Sequence, residues 1–155
     1  MVKQRLLKSI EVKVFAHATE NIDKVKESVK NILPYEFPTM FKEQKLKGHY
    51  GDLITILTVN NKRRKPSTEA FENLFKKLPI TSQEEMLMDP EKRIDDSGNF
   101  YVRLDKQKAY QKKISTSNSD PIRIKFGFRI PHKTDPRETI TDYLKNLMNI
   151  RQENE

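Results

Sequence analysis

Residues 46–67, LKGHYGDLITILTVNNKRRKPS, constrain this chain more than any other stretch. Gly48 and Gly51 bracket a short turn, and Leu53 to Val59 form the most apolar β-prone run of the sequence. Glycine reaches positive φ without a Cβ penalty, so the turn predicts a hairpin leading into a strand. Ile54, Ile56, Leu57 and Val59 make that strand apolar on both pleat faces. It is therefore expected in the middle of a sheet, with Ile54 and Ile56 almost fully buried. Lys62, Arg63, Arg64 and Lys65 follow at once and cannot enter a core, so they must emerge at the sheet's edge or end. Pro66 and Ser67 then read as a helix start, with Ser67 as the cap.

The remaining elements follow from periodicity. Residues 9–19 alternate, with Ile10, Val12, Val14, Ala16 and Ala18 on one face and Glu11, Lys13, Phe15 and His17 on the other. Asn21 caps a helix whose apolar positions, Ile22, Val25, Val29 and Ile32, recur at helical spacing. Residues 41–47 read as a second strand, with a helix as the alternative because FKEQK alternates poorly. A helix with Ala70, Phe71, Leu74 and Phe75 on its inner side runs over 67–78, and a capping box at Thr81/Glu84 or Ser82/Glu85 opens a short third. Residues 95–99, DDSGN, make a turn into a strand at 100–104, and Asp105 caps a short helix. Residues 121–130 alternate again, and Asp135-Pro136-Arg137-Glu138 opens a last helix over 136–149.

Two-stranded units mixed with helices, and no regular βαβ alternation, define the fold class as α+β. The expectation is a two-layer, mainly antiparallel sheet of about four to five strands with helices packed on one face. A length of 155 residues suits one domain over 1–150, with 151–155 as a fraying tail. No cysteine is present, which excludes disulfides and thiolate metal sites and fits a cytoplasmic protein. No apolar run approaches about 18 residues and the N-terminus has no apolar signal core, so no membrane association is expected.

Charge is more informative by location than by sum. Lys and Arg number 30 against 22 acids, a net +8. Residues 62–65 are all cationic. Between Tyr101 and Lys133 nine cations (Arg103, Lys106, Lys108, Lys112, Lys113, Arg123, Lys125, Arg129, Lys133) face only Asp105 and Asp120. The intervening segment 66–100 is acidic. Directional positive charge points to a polyanionic partner. The nominated contacts are Lys62, Arg63, Arg64, Lys65, Arg103, Arg123, Lys125 and Arg129, with Tyr101 for base stacking.

Catalytic signals are absent at this level. His17, His49 and His132 show no metal-ligand spacing, and no GxSxG, GxGxxG or P-loop occurs. No catalytic residue, metal or cofactor is nominated.

The segments Lys47-Gly48-His49-Tyr50-Gly51-Asp52-Leu53-Ile54, Gly98 to Tyr110 and Asp120 to Lys125 together resemble an archaeal family of predicted exosome subunits and RNA-binding proteins. The likeness spans about residues 8–130. It departs at Asp52-Leu53, where the family pattern has Asn-Pro after the second turn glycine. The resemblance implies RNA as partner, a link to exosome components, and a fold similar to the ribosomal protein that clamps the small RNA of the large subunit. A description of the family as double-stranded-RNA-binding-domain-like is the less favoured alternative.

Three readings follow in order: a non-catalytic RNA-binding protein; an assembly subunit or homodimer built through an open sheet, with Phe15, Tyr50 and Tyr101 as candidate contacts; and an RNA-processing enzyme of unrecognised type.

Overall fold

A computed structural model describes residues 6–153. The chain runs β1 (Leu7–His17), α1 (Ile22–Ile32), β2 (Lys42–Lys47), β3 (Leu53–Asn61), α2 (Arg64–Lys77) and α3 (Ile80–Met88). A single 3-10 turn, Pro90–Lys92, leads to β4 (Asn99–Leu104), α4 (Lys106–Tyr110), β5 (Ile122–Phe128) and α5 (Pro136–Glu153). The strands form one sheet in the order β2-β3-β1-β5-β4, antiparallel at every pairing. This is the α+β architecture anticipated from the alternation pattern.

One pleat face carries the core. Val12, Val14, Leu57, Val59, Ile124, Phe126, Phe100 and Val102 all point to the helices and are buried. Phe71 of α2 is the hub. Its ring meets Phe126 at 4.8 Å, Phe128 at 5.4 Å, Phe100 at 5.8 Å and Tyr143 of α5 at 5.8 Å, between centroids. The three phenylalanines of β4 and β5 present edges to it, the arrangement favoured by the ring quadrupole. Buried Gln83 donates from Nε2 to the carbonyls of Phe75 and Leu78, satisfying the end of α2.

Among the described residues the opposite face has no helix on it, and this corrects the reading of β3. Ile54 and Ile56 are half-buried on the open face; only Thr55, Leu57 and Val59 point inward to the core. The strand does have a neighbour on each side, but β1, not β3, is central. A run apolar on both faces specified two apolar surfaces, and helices arrived at one.

Helix starts also shift. α2 begins at Arg64 with Arg63 at its cap position, three residues before the expected start at Ser67. Asn61 Oδ1 accepts from the Arg63 backbone N–H at 2.9 Å, and buried Ser67 donates its hydroxyl back to Asn61 O instead of capping. Pro66 is tolerated because first-turn N–H groups have no intrahelical acceptor. α3 starts at Ile80 behind Pro79, so Thr81 and Ser82 lie within the helix and form no capping box. Asn21, Asp105 and Asp135 do accept from first-turn N–H groups as their sequence positions imply. β1 starts and ends two residues earlier than expected, so Ala18 falls in the turn after the strand and is exposed instead of facing the core, and α5 continues through 151–153.

The hairpin turn behaves as the glycines dictate. Gly51 has φ +82, while Gly48 keeps an ordinary φ and hydrogen-bonds Asp52 O. The sheet's two edges differ. The outer side of β4 is covered: Tyr101 N–H donates to Arg93 O, Asp105 N–H to Ser115 O, and Arg103 O accepts from Ser117 N–H. β2 is the free edge among the described residues, and Lys42, Lys45 and Lys47 guard it against pairing with other strands.

These positions separate cleanly in urea. Phe71→Ala should cost about 3–5 kcal/mol, whereas Ile56→Ala, on the half-exposed face, should cost less than about 2 kcal/mol. Gly51→Val should cost about 1–2 kcal/mol through backbone strain, since no atom crowds its side-chain position. Equal losses for Phe71→Ala and Ile56→Ala would contradict the one-sided core.

Candidate nucleic-acid interface

Strand register decides which of the nominated side chains meet. Cross-strand pairing places Arg103 opposite Arg123, Arg123 opposite Lys13, Lys13 opposite Thr58 and Thr58 opposite Lys42. A single transverse row of four cations and a threonine thus crosses all five strands on the open face. With strands about 4.8 Å apart, four gaps give a row about 19 Å long. The neighbouring row reads Tyr101, Lys125, Glu11, Asn60. Tyr101, Arg103, Arg123, Lys125, Lys13 and Glu11 line one shallow hollow, with Glu11 as its acid.

Like charges directly opposite one another destabilise a sheet. Arg103, Arg123, Lys13, Lys42 and Lys125 take part in no ion pair within 4.0 Å among the described residues, although other cations do: Lys26 with Glu43 at 2.6 Å, Arg93 with Glu85 at 3.0 Å, and Arg137 with Asp96 at 3.0 Å. The row is therefore a localised concentration of uncompensated charge, and it can hold several anionic groups side by side.

Tyr101 is held in place above this row. It is 41% exposed, and its hydroxyl donates to Asp95 Oδ2 at 2.9 Å. Asp95 also accepts from the Ser97 and Asn99 backbones and from Asn99 Nδ2. Burial pushes the Asp95 carboxyl up, but the donors from Asn99, Tyr101 and Ser97 outweigh it and leave the group below its usual range. Burial and the Asp95 acceptor push the Tyr101 phenol up, so it stays a neutral donor. The turn depends on Gly98, at φ +85, where a Cβ would meet Ile130 Cγ1 at 2.6 Å.

The other nominated cations lie elsewhere. Lys62, Arg63, Arg64 and Lys65 are exposed where β3 crosses to the helix layer. Asn61 pairs with Ile10 near the start of β1, and Arg129 N–H meets Leu6 there, so both groups mark the same end of the sheet on either side of β1. Arg64 and Lys65 occupy the first turn of α2, where like-sign charge at the dipole's positive end costs about 0.3–1 kcal/mol each.

Lys106, counted above among surface cations, is not one. It is buried, and its Nζ donates to Phe15 O at 2.7 Å, Asp120 Oδ2 at 2.8 Å and Glu20 Oε1 at 3.1 Å. His17 Nε2 lies 3.1 Å from the same Asp120 oxygen. His17, Glu20 and Asp120 bring three potential ligand atoms within 4.8 Å of one another, but the Lys106 ammonium already supplies the positive charge they surround. The cluster joins the end of β1, the start of α1, α4 and the approach to β5. Sequence spacing concealed it, because Asp120 is 103 positions from His17. Lys13 and Lys42 were missed for a related reason: alternation places each on a face but does not say which strands adjoin.

Burial raises the Asp120 pKa, yet hydrogen bonds from Lys106 and His17 outweigh it and hold the carboxyl below its ordinary value. A depressed carboxyl adds stability above the unfolded pKa, about 3.9, and loses it as pH falls through the lower folded value. Lys106→Met removes the buried ammonium and its hydrogen bonds, which should reduce stability by about 1–3 kcal/mol near neutrality, and it should flatten the acid limb of a plot of melting temperature against pH. An unchanged acid limb would show that Lys106 does not set the charge state of Asp120.

Comparison with known proteins places this frame. A family model described as RNA binding matches residues 9–128. The chain is 28% identical over 117 residues to the RNA-binding protein PAB1135 of Pyrococcus abyssi, covering 74% of this chain and 76% of the relative. Among solved structures, protein AF2318 from Archaeglobus fulgidus is 30% identical, with a TM-score of 0.76 over 91% of this chain and 99% of that one. Mth689, a DUF54 protein from Methanothermobacter thermautotrophicus, shares the fold at 24% identity, with a TM-score of 0.75 over 92% of this chain and 98% of its own. The family model spans more than half of the chain, and the chain belongs to this RNA-binding family.

Proposed function

We propose that this chain is a non-catalytic RNA-binding protein that holds RNA phosphates on the open face of its sheet. One observation carries the reading: a transverse row of cations, Arg103, Arg123, Lys13 and Lys42, stands without ion-pair partners among the described residues. Cross-strand like charge is costly in the free protein and is relieved when an anion spans it. Lys125 and the fixed ring of Tyr101 extend the same surface. Lys62, Arg63, Arg64, Lys65 and Arg129 extend the positive field around the end of the sheet where β1 begins. Family membership supports RNA as the anion.

Association with exosome components or other RNA processing in the cytoplasm is the finer form of this reading, and its support is the resemblance of the turn and β4–α4 segments. Kinship with the ribosomal protein that clamps the small RNA of the large subunit has the same support. A second reading, an assembly subunit that pairs with another copy through the open sheet, is favoured by one feature: Phe15, Ile54 and Ile56 are only half-buried there.

Two charge-reversal pairs test the phosphate surface: Arg123→Glu with Lys125→Glu on the sheet, and Arg63→Glu with Arg64→Glu at its end. Once circular dichroism has verified folding, each lost phosphate contact should lower the slope of log affinity against log salt by about 0.7 on single strands and about 0.9 on duplex. The sheet pair should have the larger effect. Parental affinity and slope in both variants would remove this surface as the RNA site and advance the assembly reading.

A further inference from the structure

The open face is divided. Beyond the cation row, the next two transverse rows read Phe15, Ile56, Gln44 and then His17, Ile54, Leu46. Four apolar side chains, Phe15, Ile54, Ile56 and Leu46, thus form a strip over β1, β3 and β2. Phe15, Ile54 and Ile56 are half-buried and Leu46 is exposed. The strip adjoins the part of the cation row that lies on β1, β3 and β2. Successive outward positions on a strand lie about 7 Å apart, so the two are immediate neighbours. Arg123 joins them, its guanidinium carbon 5.4 Å from the centroid of the Phe15 ring.

A ligand covering both zones must be anionic along one side and flat and apolar along the other. We infer that the site takes single-stranded RNA, with phosphates on the row Lys42, Lys13, Arg123 and Arg103 and unpaired bases on Phe15, Ile56 and Ile54. This rests on the phosphate reading proposed above and adds its substrate class. A duplex hides its base faces inside the stack and could engage only the cation row. An unpaired base offers a π-face to any apolar or aromatic platform, with little dependence on sequence. A second copy of the chain fits less well. Two-fold pairing of this face would bring a second copy's cations onto a surface that is already positive, a like-charge juxtaposition that opposes association.

The test compares three probes on the intact protein: a 12-nucleotide oligouridine, a blunt RNA duplex of equal length, and an abasic ribose-phosphate strand. The double variant Phe15→Thr/Ile56→Thr keeps strand-compatible side chains while removing the platform. Oligouridine should bind the parent more tightly than either other probe. The variant should lose about 5- to 150-fold for each base that stacks, with an unchanged salt slope and unchanged affinity for the abasic strand. If the duplex and abasic strand bind the parent as well as oligouridine, or the variant retains full affinity for oligouridine, the platform is overturned while the phosphate reading stands. If the substitutions change only the sedimentation of the free protein, the strip belongs to a second copy. If none of the three probes binds, both readings fall together. Should the variant not fold, photocrosslinking of 4-thiouridine strands to the parent decides the matter. Adducts on β1 or β3 peptides support the platform, and adducts confined to the start of α2 overturn it.

Discussion

Phe71 is the contact on which the rest of the molecule depends. It ties α2 to β5, β4 and α5 at once through Phe126, Phe128, Phe100 and Tyr143. Aromatic burial of this extent dominates a small core and fixes helix position by ring geometry as well as by area. By drawing α2 onto one pleat face and joining α5 to it, the cluster sets the helix layer on that side of the sheet. The other face is left open by the same arrangement that stabilises the fold.

An open antiparallel face is ordinarily a solvated surface of mixed charge. Here it carries like charges in direct cross-strand opposition, Arg103 to Arg123 to Lys13, and half-exposed isoleucines beside them. Each feature works against stability in the isolated protein: the cations repel, and the apolar strip keeps contact with water. Local consistency between pattern and fold is the rule, and departures from it concentrate where a surface has other work. The two departures lie in adjacent rows, which argues for one ligand with both chemical characters.

The face is held on a stiff frame. Lys106 draws the end of β1, the start of α1 and the loop before β5 around one ammonium, while Asp95 gathers the turn before β4 and locks Tyr101 from below. Both are short polar networks with multiple partners. In the first, losing a partner would leave the buried Lys106 ammonium unsatisfied; in the second, four donors converge on the part-buried Asp95 carboxylate and fix the turn. The flanks of the cation row are thus set before any ligand arrives.

Much of this was legible in the residues. Alternation in 9–17 and 121–130 assigned inward and outward side chains correctly, because the period of two is a local steric property of the strand; it failed at Ala18, where the strand had already ended. The caps at Asn21, Asp105 and Asp135, and the positive φ at Gly51, are likewise local and were readable. Arg103, Arg123, Lys125 and Tyr101 were placed on outward faces for the same reason. Tertiary structure decided what depends on neighbours. It placed Lys13 and Lys42 in the row, took Lys106 out of the surface charge, joined His17 to Asp120, and left Ile54 and Ile56 without a covering helix. None of these follows from periodicity, since strand order and the choice of covered face are set by packing between segments far apart in the chain. Sequence determined which way each side chain points; only the fold determined what it points at.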